Sequence, residues 1–364
     1  MTPPIFLNAR FLSQSVSGVQ RFSLEITAAI DRLIAAGEWP QTVALTPRTA
    51  DRGTSRRDEA LYPRLEFREV GRTHGHLWEQ TELPIAARGG VLINLGNTGP
   101  IFAGRRQIVV IHDAGVFDTP ESYSFRFRSW YKTLQHCLAR TGATVATVSE
   151  FSRGRIVERL GLDPESVVVM SEGADHVLRC PADPGTLSRH GLQPRRFALV
   201  VSNRVAHKNI AVLHEAAAAL ERRGMVIAIA GTSNTEVYQG VRGPGFAERR
   251  LGRVTDAELR ALYENAACLL FPSRYEGFGL PPVEALACGC PVLAASGNAV
   301  EEICGDSALY FANDRKQTII DLLERLLDEP GLADRLSLRG RARAADLSWD
   351  KSARLLGEVV RGVR

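Results

Sequence analysis

The sequence predicts an α/β protein of two domains, each built around a parallel sheet. Three observations lead there. The chain has 364 residues, enough for two domains of ordinary size. Apolar runs of strand length alternate with helical patterns, as βα units require. The alternation occurs twice, on either side of a stretch with little periodicity, which makes each half Rossmann-like.

In the first half, Pro4–Leu7, Val43–Leu45, Val91–Leu95, Ile108–Ile111 and Val145–Val148 read as strands, and Val19–Ala35 reads as a helix. In the second half, the strands are Phe197–Val201, Met225–Ala230, Ala267–Phe271 and Pro291–Ala294. Its helices are Ala211–Arg222, Thr255–Asn265 and Gln317–Leu327. The stretch 176–196, rich in proline, glycine and charge, is the expected junction. The expected domains are 1–180 and 190–346. Residues 49–57 read as a charged surface loop, and 349–363 as an amphipathic terminal helix.

Bulk composition excludes several classes. Hydrophobic content of 45% with 24% charge is that of a soluble globular protein. No apolar run reaches the ~18–20 residues of a membrane span. The first residues, MTPPIFLNARFL, lack a signal-peptide pattern, so a cytoplasmic location is the expectation. The six cysteines are scattered, and Cys288-x-Cys290 alone has no metal spacing. All six are therefore read as reduced. A net charge of +4 suits an anionic small substrate or an anionic membrane face. No nucleic-acid partner is expected.

The most informative stretch is CLLFPSRYEGFGLPPVEALACGC, from Cys268 to Cys290. A short apolar strand runs into a glycine-rich turn that opens a helix, with Glu276 before the turn and Glu284 inside the helix. Glycines let a backbone approach a ligand closely. A helix N-terminus presents free N–H groups and partial positive charge to a diphosphate. A carboxylate in the helix can accept from ribose hydroxyls. The stretch reads as a nucleotide-sugar site.

Glu276-Gly277-Phe278-Gly279-Leu280-Pro281-Pro282-Val283-Glu284-Ala285 resembles the signature of the retaining family 4 glycosyltransferases. Charge, glycines, prolines and the following Ala-Cys-Gly-Cys-Pro-Val all fall in register. The resemblance is strongest from Phe197 to Phe311 and extends more patchily over Phe6 to Asp175. It implies the GT-B fold, two Rossmann-like domains whose parallel sheets face each other across a cleft. It also implies that a helix at 347–364 returns to the first domain.

By the same resemblance, Lys208 and Arg204 hold the donor diphosphate and steady the leaving group, and Glu276 reaches hydroxyls of the transferred sugar. Ser273, Gly277, Phe278, Gly279 and Leu280 meet the diphosphate and sugar, and Glu284 binds the ribose. Gly231 forms a small-residue turn beneath the nucleotide, and Val254 lines the base pocket. Gly18, in the loop after the first strand, brings backbone N–H groups to the donor phosphate or the acceptor. His112, at the end of the strand Val109–Ile111, faces the reacting sugar with side chain or backbone. Its alternative is a satisfied core histidine.

The acceptor candidates are Trp78, Asn97 and Arg153, in stretches that read as loops or helix starts bordering the cleft. Ser149 reads equally well as a helix N-cap beside Arg153. The segment 125–132 interleaves bases and aromatics. It can rest on the inner face of an anionic membrane or form a helix with one buried side, and both readings stay open.

The implied reaction moves a hexose from a nucleotide-sugar, with GDP-mannose favoured and a UDP-sugar the other option. The acceptor is a glycan or lipid-linked saccharide hydroxyl in cell-surface polysaccharide synthesis. No dedicated nucleophile is visible, so retention implies front-face substitution. No Asp-x-Asp motif is present, and neither metal nor cofactor is expected. A sugar-nucleotide epimerase of the same fold is the alternative. A nicotinamide enzyme fits poorly, because Pro282 replaces the third glycine of the dinucleotide pattern.

Overall fold

The computed structural model describes residues 3–48, 60–202, 206–209, 212–231, 248–312 and 316–363. The expected loop 49–57 lies outside the described residues. The chain divides into two compact units. The first comprises Met1–Ala114, Ser129–Glu172 and Trp349–Arg364, and the second Gly115–Arg128 and Gly173–Ser348.

In the first unit the described strands are β1 (Ile5–Asn8), β2 (Thr42–Pro47), β3 (Glu66–Val70), β4 (Val91–Asn94), β5 (Gln107–Val110), β6 (Thr144–Thr147) and β7 (Val167–Val169). They form one parallel sheet in the order β3-β2-β1-β4-β5-β6-β7. β1 and β4 are buried at every residue, as strands covered on both faces must be. The helices that matter here are α1 (Gly18–Ala35), α2 (Gly75–Thr81), α3 (Phe125–Arg140, which belongs to this unit from Ser129 onward) and α4 (Glu150–Leu160). α1 buries Phe22, Ile26, Ala29, Ile30 and Leu33, a stripe at helical spacing.

The second unit holds β8 (Phe197–Val201), β9 (Val226–Ala230), β10 (Glu248–Gly252), β11 (Cys268–Phe271), β12 (Val292–Ala295) and β13 (Ala308–Phe311). Their parallel order is β10-β9-β8-β11-β12-β13. Its helices include α5 (Leu213–Glu221), α6 (Asp256–Asn265), α7 (Leu280–Ala287), α8 (Ala299–Cys304), α9 (Lys316–Asp328) and α10 (Leu332–Ala345). Two helix starts are fixed by side chains. Thr255 and Glu258 form a reciprocal capping box on α6, and Asn298 Oδ1 accepts from Val300 N at 2.9 Å on α8. One core joins β8, β9, β11, β12, β13, α5, α9 and α10, with Leu213, Leu220, Ile227, Leu270, Leu293, Phe311 and Leu323 buried in it.

The last helix, α11 (Trp349–Gly362), packs on α1 in the first unit. Trp349, Ala353, Leu356 and Val360 are its buried stripe, and the rings of Trp349 and Phe22 meet edge to face at 5.7 Å. Asp350 receives the Arg32 guanidinium at 2.5 Å.

The division differs from 1–180 and 190–346 in two places. The stretch 176–196, expected as a junction, lies inside the second unit, because the short helix Asp175–Leu178 buries His176 and Val177 there. Gly115–Arg128 also belongs to the second unit. Ser122 in that segment is held by His207, whose Nδ1 lies 2.9 Å from Ser122 Oγ.

Both sheets reverse their strand order once. In the first unit the reversal falls between β1 and β4, and in the second between β8 and β11. Ligands of open α/β sheets bind beyond the carboxyl ends of strands at such switch points.

Candidate active site

In the second unit Lys208, Ser273 and the stretch 276–280 lie on the connections at the switch point. The chain leaves β8 and reaches a short 3-10 helix, Ala206–Lys208, while β11 runs into the turn before α7. Hydrogen bonds tie these connections together. Arg274 N donates to His207 O at 2.8 Å, and Lys208 Nζ donates to Glu276 Oε1 at 2.5 Å. Lys208 also lies over the Phe271 ring, 5.6 Å from its centroid. The pair is partly buried, so an ammonium and a carboxylate are held ready where water is restricted.

His207 is neutral over the physiological range. Burial is the first cause and the neighbouring Lys208 charge the second, and together they push its imidazole down to about 4.

The turn is built for close approach. Gly279 caps α7 at φ +102°, and a Cβ there would lie 2.7 Å from Val300 Cγ2. Gly277 and Phe278 are buried beside it, and Leu280 is the first residue of α7. Ser273 is buried; its hydroxyl donates to Tyr275 O at 3.2 Å, while its carbonyl accepts from Asn298 Nδ2 at 3.0 Å. Pro281 and Pro282 carry no N–H, so the backbone donors this helix start can present to an anionic group are those of Gly279 and Leu280.

Gly231 follows β9 at φ +131°. A Cβ there would stand 2.3 Å from Ser202 O, so only glycine lets the two strand ends come so close. Val254 is half-buried in the connection between β10 and α6. Arg204 lies outside the described residues.

Glu284 is buried, at 6% exposure. Both its oxygens have protein partners: His176 Nε2 at 2.8 Å on Oε1, and the Tyr263 hydroxyl at 2.9 Å on Oε2. Burial, with the Glu284 carboxylate second, pushes the Tyr263 phenol well above its ordinary value, so it stays a donor. Nothing local in the sequence points to His176, which lies 108 positions from its partner. Burial also drives the thiols of Cys268, Cys288 and Cys304 up to about 12, leaving them as packing groups.

In the first unit, Gly18 is the exposed first residue of α1. His112 is a braced histidine. Its Nε2 lies 2.9 Å from Leu95 O, its Nδ1 3.6 Å from Glu172 Oε1, and the Phe22 ring packs edge-on at 4.6 Å. Asn97 takes a left-handed conformation at φ +64°, and its Oδ1 accepts from His112 N at 2.7 Å. Arg153, in the first turn of α4, pairs with Glu150 at 2.5 Å, and Ser149 caps the helix through Ser152 N.

Trp78 requires a correction. It is fully buried among Phe6, Val43, Leu45 and Leu83, and its Nε1 donates to Val70 O at 2.9 Å. It is a core residue, not an acceptor contact. α2 turns the opposite side outward, carrying His76 and Leu77.

The segment 125–132 opens α3. Phe125 is exposed with the Arg128 guanidinium 5.5 Å from its ring centroid, and the helix buries Leu134, Gln135 and Leu138 further on. Among the described residues no helix is long and apolar enough to cross a membrane.

Two parallel sheets, each with one reversal of strand order, and a cation, a carboxylate and a glycine-opened helix at one switch point define a two-unit α/β protein with a charged site at the ends of its second sheet. Residues 188–343 match the family described as glycosyl transferases group 1. The O-antigen chain mannosyltransferase B of Escherichia coli is 30% identical over 260 residues, 67% of each chain. The chain belongs to this glycosyltransferase family. A second relative, the MMP alpha-(1->4)-mannosyltransferase of Mycolicibacterium hassiacum, is 30% identical over 237 residues, 62% of this chain and 56% of that one.

Among solved structures, HepE of Anabaena in complex with UDP-glucose superposes with a TM-score of 0.75 at 14% identity, covering 99% of this chain and 100% of that one. Sucrose-phosphate synthase of Thermosynechococcus elongatus gives 0.72 at 16% identity, covering 100% and 99%. The fold is therefore that of the GT-B glycosyltransferases. The epimerase reading finds no support in these matches.

Proposed function

We propose that the protein is a retaining hexosyltransferase that uses a nucleotide-sugar donor, with GDP-mannose favoured over a UDP-sugar. The acceptor is a hydroxyl of a glycan or lipid-linked saccharide in cell-surface polysaccharide assembly. The observation that carries this reading is the Lys208–Glu276 bond at the switch point, just before the N-terminus of α7. Mannose is favoured because relatives of 30% identity are named as mannosyltransferases.

In this reading a diphosphate oxygen takes the place of Glu276 on Lys208. The freed carboxylate then accepts from hydroxyls of the hexose. The N–H groups of Gly279 and Leu280, at the start of α7, meet the diphosphate, and these preset dipoles stabilise the charge that develops on the leaving group. The acceptor oxygen bonds to the anomeric carbon on the face from which the phosphate oxygen departs. The acceptor's proton passes to that phosphate oxygen, so no separate base or metal is required. Contact of the exposed Phe125 end of α3 with an anionic membrane belongs to the same reading.

Purified protein incubated with GDP-mannose and a synthetic alkyl mannoside in excess EDTA tests it. Free GDP and a new α-linked product in equal amounts are expected. A β-linked product would refute retention, and activity that returns only with added magnesium or manganese would refute the metal-free step.

A further inference from the structure

The first unit has a switch point of its own, and a buried polar network occupies it. Asn8 at the end of β1 donates from Nδ2 to Asn94 Oδ1, at the end of β4, at 3.0 Å. The same nitrogen lies 3.0 Å from Glu79 Oε1. Thr98 Oγ1 donates to that oxygen at 2.8 Å, and Arg10 Nη2 lies 3.3 Å from it. Glu79 is 1% exposed. Its second oxygen, Oε2, faces His76 Nδ1 at 3.1 Å.

Burial raises the Glu79 carboxyl, but the His76 bond, the Arg10 charge and Thr98 together bring it below its ordinary value. The carboxylate is an acceptor only, so Nδ1 of His76 carries the proton. Nε2 is left to hydrogen-bond a hydroxyl, on a ring whose side chain is 35% exposed. Two rings of α3 stand edge-on to this imidazole, Trp130 at 5.5 Å and Tyr131 at 5.9 Å. Of the four tryptophans, Trp39, Trp78 and Trp349 are at most 5% exposed, whereas Trp130 is 37% exposed.

A pyranose has an apolar C–H face and a rim of hydroxyls. An exposed indole beside an oriented imidazole matches both at once. The carboxylate behind the imidazole disfavours a phosphate or other anion at the same place. We propose that His76, oriented by Glu79 and flanked by Trp130 and Tyr131, is a saccharide subsite for the acceptor. His76 Nε2 takes a ring hydroxyl and Trp130 takes the C–H face. Glu79 is a positioning residue. The proposal rests on the glycosyl-transfer reading, to which it adds a place for the acceptor.

Acrylamide quenching of tryptophan fluorescence tests it in the full chain, because Trp130 is the accessible tryptophan. The probes are the methyl α-glycosides of mannose, glucose and galactose, without donor. At least one should protect Trp130 in a saturable way. His76→Ala, which keeps the indole, should raise the half-protecting concentration about tenfold, as the loss of one good hydrogen bond does. Trp130→Ala, a change at an exposed residue, should abolish calorimetric binding of the protecting glycoside without lowering the melting temperature. No protection by any of the three in the wild type would overturn the proposal, as would equal protection in His76→Ala. Thermal stabilisation by GDP on the same samples reads the donor assignment separately. Its absence beside intact saccharide protection would refute the donor and leave the subsite standing.

Discussion

Lys208 Nζ and Glu276 Oε1 stand 2.5 Å apart at the one reversal of strand order in the second sheet, where the connections after β8 and β11 meet. Each residue in isolation is an ordinary surface charge. Together, beside a helix N-terminus, they supply a cation for a leaving diphosphate and an acceptor for sugar hydroxyls.

Lys208→Ala is expected to lower turnover by about 10²–10³-fold, the usual effect of losing one preset charge partner in a transition state. Glu276→Gln should instead impair the transferred sugar more than the bare nucleotide. Steady-state kinetics with GDP-mannose, alongside GDP binding, separates the two, and a Lys208→Ala enzyme of normal turnover would remove Lys208 from the reaction.

Glu284 predicts a stability effect larger than that of the other candidate residues. Glu284→Ala strands the buried Nε2 of His176 and the Tyr263 hydroxyl, and should cost about 3 kcal/mol. Tyr263→Phe should cost only about 1 kcal/mol. Chemical denaturation checks both, and a Glu284→Ala protein as stable as the wild type would show that the buried triad is not worth its contacts.

His207 gives the second unit an acid-sensitive term. Its pKa falls from 6.5 to about 4 on folding, so the unfolded chain binds the extra proton between those values. Unfolding free energy should therefore drop as pH falls from 6.5 toward 4, by up to about 3 kcal/mol, and level off below. His207→Gln should flatten that part of the profile. An unchanged slope in the variant would assign the acid sensitivity to other groups.

Gly279→Ala puts a side chain at φ +102° and a Cβ 2.7 Å from Val300 Cγ2. A destabilisation of about 1–3 kcal/mol is expected, with a loss of nucleotide affinity because the start of α7 must shift. Parallel melting and GDP-binding measurements test this, and a variant with both properties intact would mean the turn has room to relax.

The sequence revealed the elements whose burial is written in composition. β8 was read at its full bounds, and β4 and β11 to within a residue at each end, because strands covered on both faces are continuous apolar runs. β3, with sequence EFREV, and β10, with sequence ERRLG, were missed for the opposite reason. They are sheet edges, where exposed charge is tolerated and even useful. Glu276, Lys208 and the glycine turn were legible because their spacing is local. The Glu79 network was not, since its members come from β1, α2, β4 and the loop after it. Trp78 was misread because an aromatic residue in a polar stretch looks exposed until the helix phase is known. His76 and Leu77, just before it, are the residues that turn outward.

The most direct measurement is calorimetric titration of GDP and UDP into the wild-type protein and Lys208→Ala. The account predicts that the wild type binds one nucleoside diphosphate preferentially and that Lys208→Ala binds it at least about tenfold more weakly. Equal affinity in the two proteins, or no binding to either, would contradict a donor site at the Lys208–Glu276 pair.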